Sequence, residues 1–343
     1  MSAQYVVHVA GHALPLWTAL AGVALAGFLI ALASCALLLP VLRALQVRQR
    51  AYEDAPKTHQ AKTGTPTMGG LCFVVALLPL LLALHTLGYL FGLVAGCALI
   101  GFLDDILAIR FGRNRGLRAR TKFLFTALIA VIFLRAIDGS NIGYPRDTIL
   151  TIGGHLVLAP HWLWLMLGIV AIAGTMHAVN LTDGLDGLAA GAMVFPLAVL
   201  AALAALSIAA GDNEYASVGL VPLVLPALLA LGACLGFLVY NRYPAKLIMG
   251  DTGSLALGAL LSGMAILSGQ MLLLVLIGGV FVAEALSVML QVVYFKLTHG
   301  KRIFKMSPLH HHFELSGWPE TKVTSRFWIA SAVCSAVGLA IVR

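Results

Sequence analysis

Charged residues and pairable cysteines are scarce in this sequence, and each shortage excludes a class of protein. Only 10% of the 343 residues are charged, whereas 60% are hydrophobic and the mean hydropathy is +0.96. Because a soluble domain carries about 25% charged residues, a soluble globular protein is excluded. The five cysteines lie within apolar runs and form no Cys-x-x-Cys pair, so we expect neither disulfides nor thiolate metal sites.

Lysine and arginine are absent from the first 42 residues. A secretory signal peptide begins with a positively charged region, so we interpret the first apolar run as a membrane span that is retained. The whole chain has 22 Lys and Arg against 14 Asp and Glu. No basic stretch is interleaved with aromatic residues, so we attribute this excess to loops and predict no nucleic-acid partner.

Long apolar runs fill most of the chain. Apolar runs longer than roughly 18 residues indicate a spanning helix, and many runs exceed that length. We count ten spans, of which the third and ninth are the least clean because each carries charge. They cover residues 17–42, 68–87, 88–109, 121–137, 161–179, 187–210, 216–239, 253–268, 271–298 and 324–342. The sequence therefore predicts an all-α integral membrane protein with ten transmembrane helices in a single polytopic domain, residues 1–343.

The basic residues set the expected orientation. All of them except Arg135, Arg146 and Arg343 lie in the loops that follow spans one, three, seven and nine. Because basic loops stay in the cytoplasm, these loops and the short loop 180–186 are expected to be cytoplasmic, and both termini to be periplasmic. The outward segment 138–160 fits either a small β-hairpin or an irregular loop.

Two adjacent carboxylates, Asp104 and Asp105, stand near the end of the third span. Neighbours on a helix lie about 100° apart, so we expect them to have different partners. Charge at such depth is usually functional, although an interfacial pair held by arginines is the alternative. Six basic residues follow them: Arg110, Arg113, Arg115, Arg118, Arg120 and Lys122.

Three further motifs fall on the same predicted face. Thr65 and Pro66 precede the second span and fit an N-cap and a first helical position. Asn180, Asp183 and Asp186 precede the sixth span, and Asn241 and Asp251 lie on either side of the loop before the eighth. Helix capping explains a single aspartate of this kind, but not the whole set.

Histidines and a membrane acid complete the polar residues. His310, His311 and His312 are consecutive, so they cannot all point the same way, and usual zinc spacing is not matched. They are either a polar loop or donors to an anionic substrate. Glu284 lies within the ninth span, where Gly278-Gly279 is expected to break the helix and bring it to polar backbone, a structural role that we favour.

The aspartates and asparagines together provide hard oxygen ligands, which suit Mg²⁺. Lysines, arginines and histidines surround them, and such a mixture fits phosphoryl transfer between two anions. A transporter would more naturally place polar residues along a path through the bilayer, which here is nearly empty apart from Glu284. We therefore expect one cytosolic reactant and one lipid phosphate held at the interface.

Six motifs in order give the chain a family resemblance. It resembles the phospho-N-acetylmuramoyl-pentapeptide transferases of the polyprenyl-phosphate N-acetylhexosamine-1-phosphate transferase superfamily, from Lys62 to Trp328. The motifs are Gly64-Thr65-Pro66-Thr67-Met68-Gly69-Gly70, Gly101-Phe102-Leu103-Asp104-Asp105, Asn180-Leu181-Thr182-Asp183-Gly184-Leu185-Asp186-Gly187, Gly250-Asp251-Thr252-Gly253-Ser254, Pro308-Leu309-His310-His311-His312-Phe313-Glu314 and Gly317-Trp318-Pro319-Glu320.

The resemblance implies an activity and its partners. Phospho-MurNAc-pentapeptide would move from UDP-MurNAc-pentapeptide to undecaprenyl phosphate, giving lipid I and UMP in the first membrane step of peptidoglycan synthesis. It also implies Mg²⁺, a homodimer and the bacterial inner membrane. Another UDP-sugar transferase of the superfamily is the alternative, and a lipid-linked transporter is a third reading.

Site roles follow from the same resemblance. Asp251 would bind the metal together with Asn180, and Asp104 or Asp105 would deprotonate or position the lipid phosphate. The remaining substrate-binding residues would be Lys62, Thr67, Lys122, Asn180, Asp183, Asp186, Asn241, Gly250, His310, His311 and His312. Ala108 stands where family members commonly carry a lysine, so any role of that lysine is in doubt here.

Overall fold

The computed structural model describes residues 6–9, 12–45, 47, 64–84, 87–110, 116–140, 146–210 and 220–342. Lys62, Arg113 and Arg115 lie outside the described residues. The helices are α1 (Leu16–Ala44), α2 (Leu71–Ala83), α3 (Gly88–Arg110), α4 (Ala119–Asp138), α5 (His161–Thr182), α6 (Leu188–Ala210), α7 (Leu220–Asn241), α8 (Gly250–Leu267), α9 (Leu274–Ile277), α10 (Gly279–Leu297), α11 (Leu309–Glu314) and α12 (Glu320–Val342).

Each of the ten predicted spans coincides with helix. Within the described residues, eight helices are long and apolar enough to cross a membrane. The other two are α2, which has only 13 residues, and α4, which carries Arg120, Lys122, Arg135 and Asp138. The chain is therefore a multi-pass helical membrane protein, whereas the ten-span count and the periplasmic termini stay predictions.

The ninth predicted span is broken where its glycines lie. A 3₁₀ turn, Met271–Leu273, leads into the short α9, and α10 begins at Gly279 after Gly278. Glycine lowers helix propensity by about 1 kcal/mol relative to alanine, and Gly279 also packs its Cα against Cys334 of α12. The predicted break is confirmed.

Four strands form two small hairpins. β3 (Thr148–Ile152) pairs antiparallel with β4 (His155–Leu158), and the turn Gly153-Gly154 has positive φ angles of 53° and 80°. Two glycines of this conformation suit a tight hairpin turn, so the hairpin is confirmed over the irregular loop. A second pair, β1 (Val6–Val9) and β2 (His12–Pro15), was not expected from the sequence.

Helix α8 is the centre of the bundle. It is apolar on every side, and 89% of its 18 residues are buried. Glycines allow the neighbouring backbones to approach it closely: Gly101 of α3 packs against the backbone of Asp251 and Thr252, and Gly258 packs against Met176 of α5. This packing brings the first turn of α8 beside the acidic end of α3 and the last turn of α5.

The predicted cap of the second helix is wrong. Helix α2 begins at Leu71 after Gly70, so Thr65 and Pro66 precede it by several residues. The Pro66 carbonyl instead accepts the Ile248 N–H at 2.9 Å, and Gly70 N–H donates to the Met249 carbonyl at 2.8 Å. The segment runs alongside the loop before α8, a long-range contact that local cap signals do not reveal.

Candidate active site

Asp104 and Asp105 at the end of α3 face different partners, as their 100° offset predicts. Asp105 Oδ1 accepts the Asp251 N–H at 3.0 Å, while its Oδ2 accepts the Thr252 N–H at 3.0 Å and the Thr252 hydroxyl at 2.7 Å. These are N–H groups of the first turn of α8, which no carbonyl of that helix can satisfy. Asp105 is therefore a cap for α8, supplied from another helix.

Asp104 takes part in a different cluster. Its Oδ1 accepts the Leu117 N–H at 2.6 Å, and its Oδ2 pairs with Lys122 Nζ at 3.1 Å. Lys122 Nζ also forms an ion pair with Asp251 Oδ2. The side chains of Asp104, Lys122 and Asp251 are 11%, 13% and 21% exposed, so a cation stands between two carboxylates that solvent still reaches.

Asn180 joins the cluster from the last turn of α5. Its Nδ2 donates to Asp251 Oδ1 at 2.7 Å and lies 3.0 Å from the Ser254 hydroxyl one turn further along α8. His177, one turn earlier on α5, contacts the Thr126 hydroxyl at 3.1 Å and stacks on Phe123. The α4 residues around Lys122 are thereby packed against α5.

The loop between α5 and α6 is fixed through its aspartates. Asp186 Oδ2 accepts the Ala245 N–H at 2.8 Å, and the Asp186 N–H donates to Glu320 Oε1 at 2.7 Å. Asn241 connects two loops, because its Oδ1 accepts the Gly187 N–H at 3.1 Å and its Nδ2 donates to the Leu247 carbonyl at 2.9 Å. Asp186 and Asn241 thus bind main chain that surrounds the cluster.

Asp183 is the aspartate of this loop that lies nearest to the start of α8. Its carboxylate accepts a backbone hydrogen bond from Gly250. Burial first, and then the charges of Asp251 and Asp105, raise the pKa of Asp183 well above its usual range. The residue keeps part of its surface exposed, so solvent screening moderates this effect.

The three histidines on α11 point in three directions, as expected. His310 is buried against Glu284, with Nδ1 3.1 Å from Oε1. His311 Nδ1 lies 2.9 Å from Glu314 Oε2, and His312 Nδ1 accepts the Lys305 N–H at 3.1 Å. Glu284 does reach polar backbone, but that backbone is the His310 N–H at 3.2 Å rather than the helix break.

Thr67 and Gly250 adjoin the cluster. Gly250 has φ +76°, and a Cβ placed on it would lie 2.9 Å from Asp105 Oδ2 and 3.1 Å from the Thr67 hydroxyl. The structure thus brings most of the predicted residues to one end of the bundle. His311 packs on the His310 ring with the centroids 4.1 Å apart. His312 contacts the Lys305 backbone and the rings of Phe304 and Phe313, and Lys62 lies outside the described residues.

Several residues of this region were not singled out from the sequence. Ser254 and Glu320 stand inside quoted motifs, but only the structure gives them Asn180 and Asp186 as partners. His177 had a detectable signal, because it lies one helical turn before Asn180 and therefore on the same face. The Glu284–His310 pair joins residues 26 apart in the chain and had no local signal.

A divalent cation fits the donors of this cluster. Asp251 offers a carboxylate and Asn180 an amide oxygen, on the side chain whose Nδ2 donates to Asp251, and Asp104 contacts the same Lys122 Nζ as Asp251. In the part of the chain that the structure describes, no group of three or more His, Cys, Asp or Glu forms a complete cage. Mg²⁺ does not need one, because it usually takes one or two carboxylates together with water and substrate phosphates.

Comparisons with known proteins show the family of the chain. Residues 87–269 match the family model described as glycosyl transferase family 4. Proteins named phospho-N-acetylmuramoyl-pentapeptide-transferase are similar over nearly the whole chain. The one from Desulforamulus reducens is 43% identical over 91% of this chain and 92% of its own length, and the one from Heliobacterium modesticaldum is 47% identical over 88% and 91%. That from Desulforudis audaxviator is 43% identical over 93% and 96%. The chain belongs to the phospho-N-acetylmuramoyl-pentapeptide-transferase family.

Proposed function

We propose that the protein transfers phospho-MurNAc-pentapeptide from UDP-MurNAc-pentapeptide to undecaprenyl phosphate, forming lipid I and UMP. An oxygen of the lipid phosphate attacks the phosphorus that carries the sugar. The bond from that phosphorus to the bridging oxygen breaks, and UMP leaves with the bridging oxygen. The observation that carries this proposal is the cluster of Asp104, Lys122, Asn180 and Asp251 at the start of α8.

Lys122 has the charge that the reaction requires. Attack of one phosphate on a diphosphate brings anions together, and a cation offsets their repulsion. Lys122 Nζ already contacts Asp104 and Asp251, so a substrate phosphate that enters the cluster meets an ammonium held in place by two carboxylates. Lys122 thus orients the incoming phosphate and stabilises the charge of the leaving group.

Asp104 is the better candidate for the group that handles the lipid phosphate. It accepts one backbone hydrogen bond and pairs with Lys122, whereas the three hydrogen bonds that Asp105 accepts all come from the first turn of α8. Asp104 therefore takes the proton of the lipid phosphate or positions its oxygen for attack. Asp105 acts through Asp251, whose backbone it holds.

Asp251 and Asn180 would hold a Mg²⁺ ion, with Asp104 near enough to share it. When bound, the ion supplies positive charge that neutralises the diphosphate and orients its oxygens. The protein's own part is to keep Asp251 oriented: Asn180 contacts one of its oxygens, Lys122 the other, and Asp105 the backbone N–H. Asp183 and the loop through Asp186 form the adjoining wall for the nucleotide and sugar.

The proposed membrane topology is the one that the distribution of Lys and Arg among the loops predicts. Ten spans would place both termini in the periplasm and this cluster at the cytoplasmic face of the bacterial inner membrane, in one domain over residues 1–343. The agreement of all ten predicted segments with helices supports it. We also propose a homodimer, which the mass of the detergent-solubilised protein, measured by light scattering, will test.

The function is tested with purified protein, radiolabelled UDP-MurNAc-pentapeptide and undecaprenyl phosphate, with and without Mg²⁺. We expect a labelled lipid product and release of UMP with Mg²⁺, and neither after chelation. UDP-GlcNAc serves as the competing donor. Absence of a lipid-linked product would refute the proposal, and equal turnover of UDP-GlcNAc would support another sugar-phosphate transferase.

A further inference from the structure

Two buried polar atoms without a hydrogen-bond partner belong to a single pair of residues. Among the buried side-chain nitrogens and oxygens of the described residues, the atoms without a partner are Trp164 Nε1, Glu284 Oε2 and His310 Nε2. A buried polar group that lacks a partner costs free energy. Glu284 and His310 therefore keep two costly atoms within one buried pair.

The geometry of the pair fixes one end of the imidazole. Glu284 Oε1 accepts the His310 backbone N–H at 3.2 Å and lies 3.1 Å from His310 Nδ1. The two side chains are 0% and 1% exposed. A carboxylate has no proton to donate, so Nδ1 carries the hydrogen of this contact and Nε2 is the atom left for another interaction.

The free end of the imidazole meets the loop after α5. A Cβ built on Gly184 would land on the His310 ring, at its Nε2 and Cε1 atoms. Gly184 follows Asp183, which accepts the Gly250 N–H at the start of α8. The Nε2 edge of His310 is therefore packed on the same loop that forms the wall of the candidate active site.

We propose that Glu284 is a positioning residue that fixes His310 with its Nε2 edge packed against Gly184, so that the imidazole holds in place the 183–187 loop that binds the sugar-diphosphate donor. The inference rests on the proposed function, since it assigns one more group to the donor side of that site. Glu284 does not touch the donor. It acts by fixing the rotation of the imidazole and the hydrogen at Nδ1, as carboxylates do for other functional histidines.

The choice of donor over lipid acceptor follows from the neighbours. His310 packs on Gly184 of the loop between α5 and α6, whereas Asp104, the group for the lipid phosphate, is held instead by Leu117 and Lys122. Displacing the imidazole should therefore weaken donor binding and leave the acceptor unaffected. A purely structural role would reduce the amount of active protein and change neither Michaelis constant.

The test is Glu284→Gln, because the amide oxygen still accepts the His310 N–H while the charge is lost. A hydrogen bond that involves a charged group corresponds to about tenfold or more in an equilibrium constant, so we expect the KM for UDP-MurNAc-pentapeptide to rise about tenfold. The KM for undecaprenyl phosphate should stay within about twofold of the wild-type value, a smaller change than the loss of one hydrogen bond would cause. Glu314→Gln is the matched control, because it removes the carboxylate partner of the neighbouring His311, and a small effect on donor KM is expected.

A second variant covers the case in which Glu284→Gln does not fold. Gly184→Ala pushes the same imidazole without touching Glu284, and Gly174→Ala, where a Cβ meets nothing within 4 Å, is its control. We expect Gly184→Ala, but not Gly174→Ala, to raise the donor KM, and the double variant Glu284→Gln/His310→Gln to be no worse than His310→Gln alone.

The outcomes separate the two proposals. If the wild-type protein makes no lipid product, the proposed function fails. If the wild type turns over but Glu284→Gln and Gly184→Ala both keep the wild-type donor KM, or raise the two KM values equally, the positioning role of Glu284 is refuted while the function stands.

Discussion

Replacing Asp104 and Asp105 separately by alanine should damage the protein in opposite ways. The two residues are adjacent on α3, so the substitutions are chemically identical and differ only in the contacts that are lost. Asp105→Ala removes the acceptor for the Asp251 N–H, the Thr252 N–H and the Thr252 hydroxyl. Asp104→Ala removes the acceptor for the Leu117 N–H and one of the two carboxylates at Lys122.

The magnitudes follow from these contacts. A buried donor left without an acceptor costs about 1–3 kcal/mol, and two of the donors at Asp105 belong to Thr252, which is 1% exposed. Asp105→Ala should therefore lower stability by at least about 2 kcal/mol from Thr252 alone. Asp104→Ala leaves the Leu117 N–H without an acceptor, while Lys122 retains its ion pair with Asp251. We therefore expect a loss of stability of about 1 kcal/mol.

Catalysis should show the reverse order. Asp104 is the group proposed to handle the proton of the lipid phosphate, and a positioned acid or base contributes about 10²–10⁴-fold to rate. Asp104→Ala should therefore lower kcat by about that factor in protein that still elutes as a single folded species. Asp105→Ala should lose activity mainly in proportion to its loss of folded protein, with a smaller loss per folded molecule than Asp104→Ala, because Asp105 acts only through the Asp251 backbone.

The assay combines thermal unfolding in detergent with turnover per folded molecule. Asp138→Ala serves as the control, because it removes a carboxylate whose ion pairs are 3.5 Å or longer and lie at the other end of α4. We expect the unfolding midpoint to fall most for Asp105→Ala. The reasoning is refuted if Asp105→Ala unfolds like the wild type yet turns over more slowly than Asp104→Ala.

Three further predictions concern the same cluster. Asp251→Asn should abolish turnover at any Mg²⁺ concentration while the protein stays folded, and normal turnover would show that the metal assignment is wrong. Lys122→Met removes the cation between Asp104 and Asp251; kcat should fall by at least about tenfold, and recovery in Lys122→Arg would indicate that charge alone suffices. Gly250→Ala forces a side chain into φ +76° and against Asp105, so it should lower the unfolding midpoint by the equivalent of about 1–2 kcal/mol or more. Gly92→Ala is the control: its Cβ meets open space and alanine favours the helix, so its midpoint should not fall.

The helices could be predicted well because their signal is local. Each apolar run was long enough to identify by itself, and the glycines at 153–154 and 278–279 marked the hairpin turn and the helix break correctly. The Thr65-Pro66 cap was predicted wrongly for the complementary reason. The signal was local, but the backbone of Ile248 and Met249, in the loop before α8, is hydrogen-bonded to the same segment.

Part of the candidate site could also be read from motifs. Asp104, Asn180, Asp183 and Asp251 were expected to share one face, and they lie at one end of the bundle. Their individual contacts were out of reach, since a hydrogen bond such as Asn180 to Asp251 depends on how α5 and α8 pack. Asn241 illustrates the limit, because both ends of its amide bind backbone that no local pattern connects to it.

The adjacent pair Asp104 and Asp105 separates most clearly what the sequence determines from what the tertiary structure decides. Composition and helical geometry were enough to give a membrane bundle and to state that Asp104 and Asp105 face different ways, because hydropathy and a 100° rotation per residue are properties of the chain itself. Which aspartate faces Lys122 and which caps α8 was decided by Gly101, whose missing side chain lets α3 lie against the first turn of α8. The same holds for Glu284 and His310, whose contact across 26 residues exists only once α10 and α11 are packed.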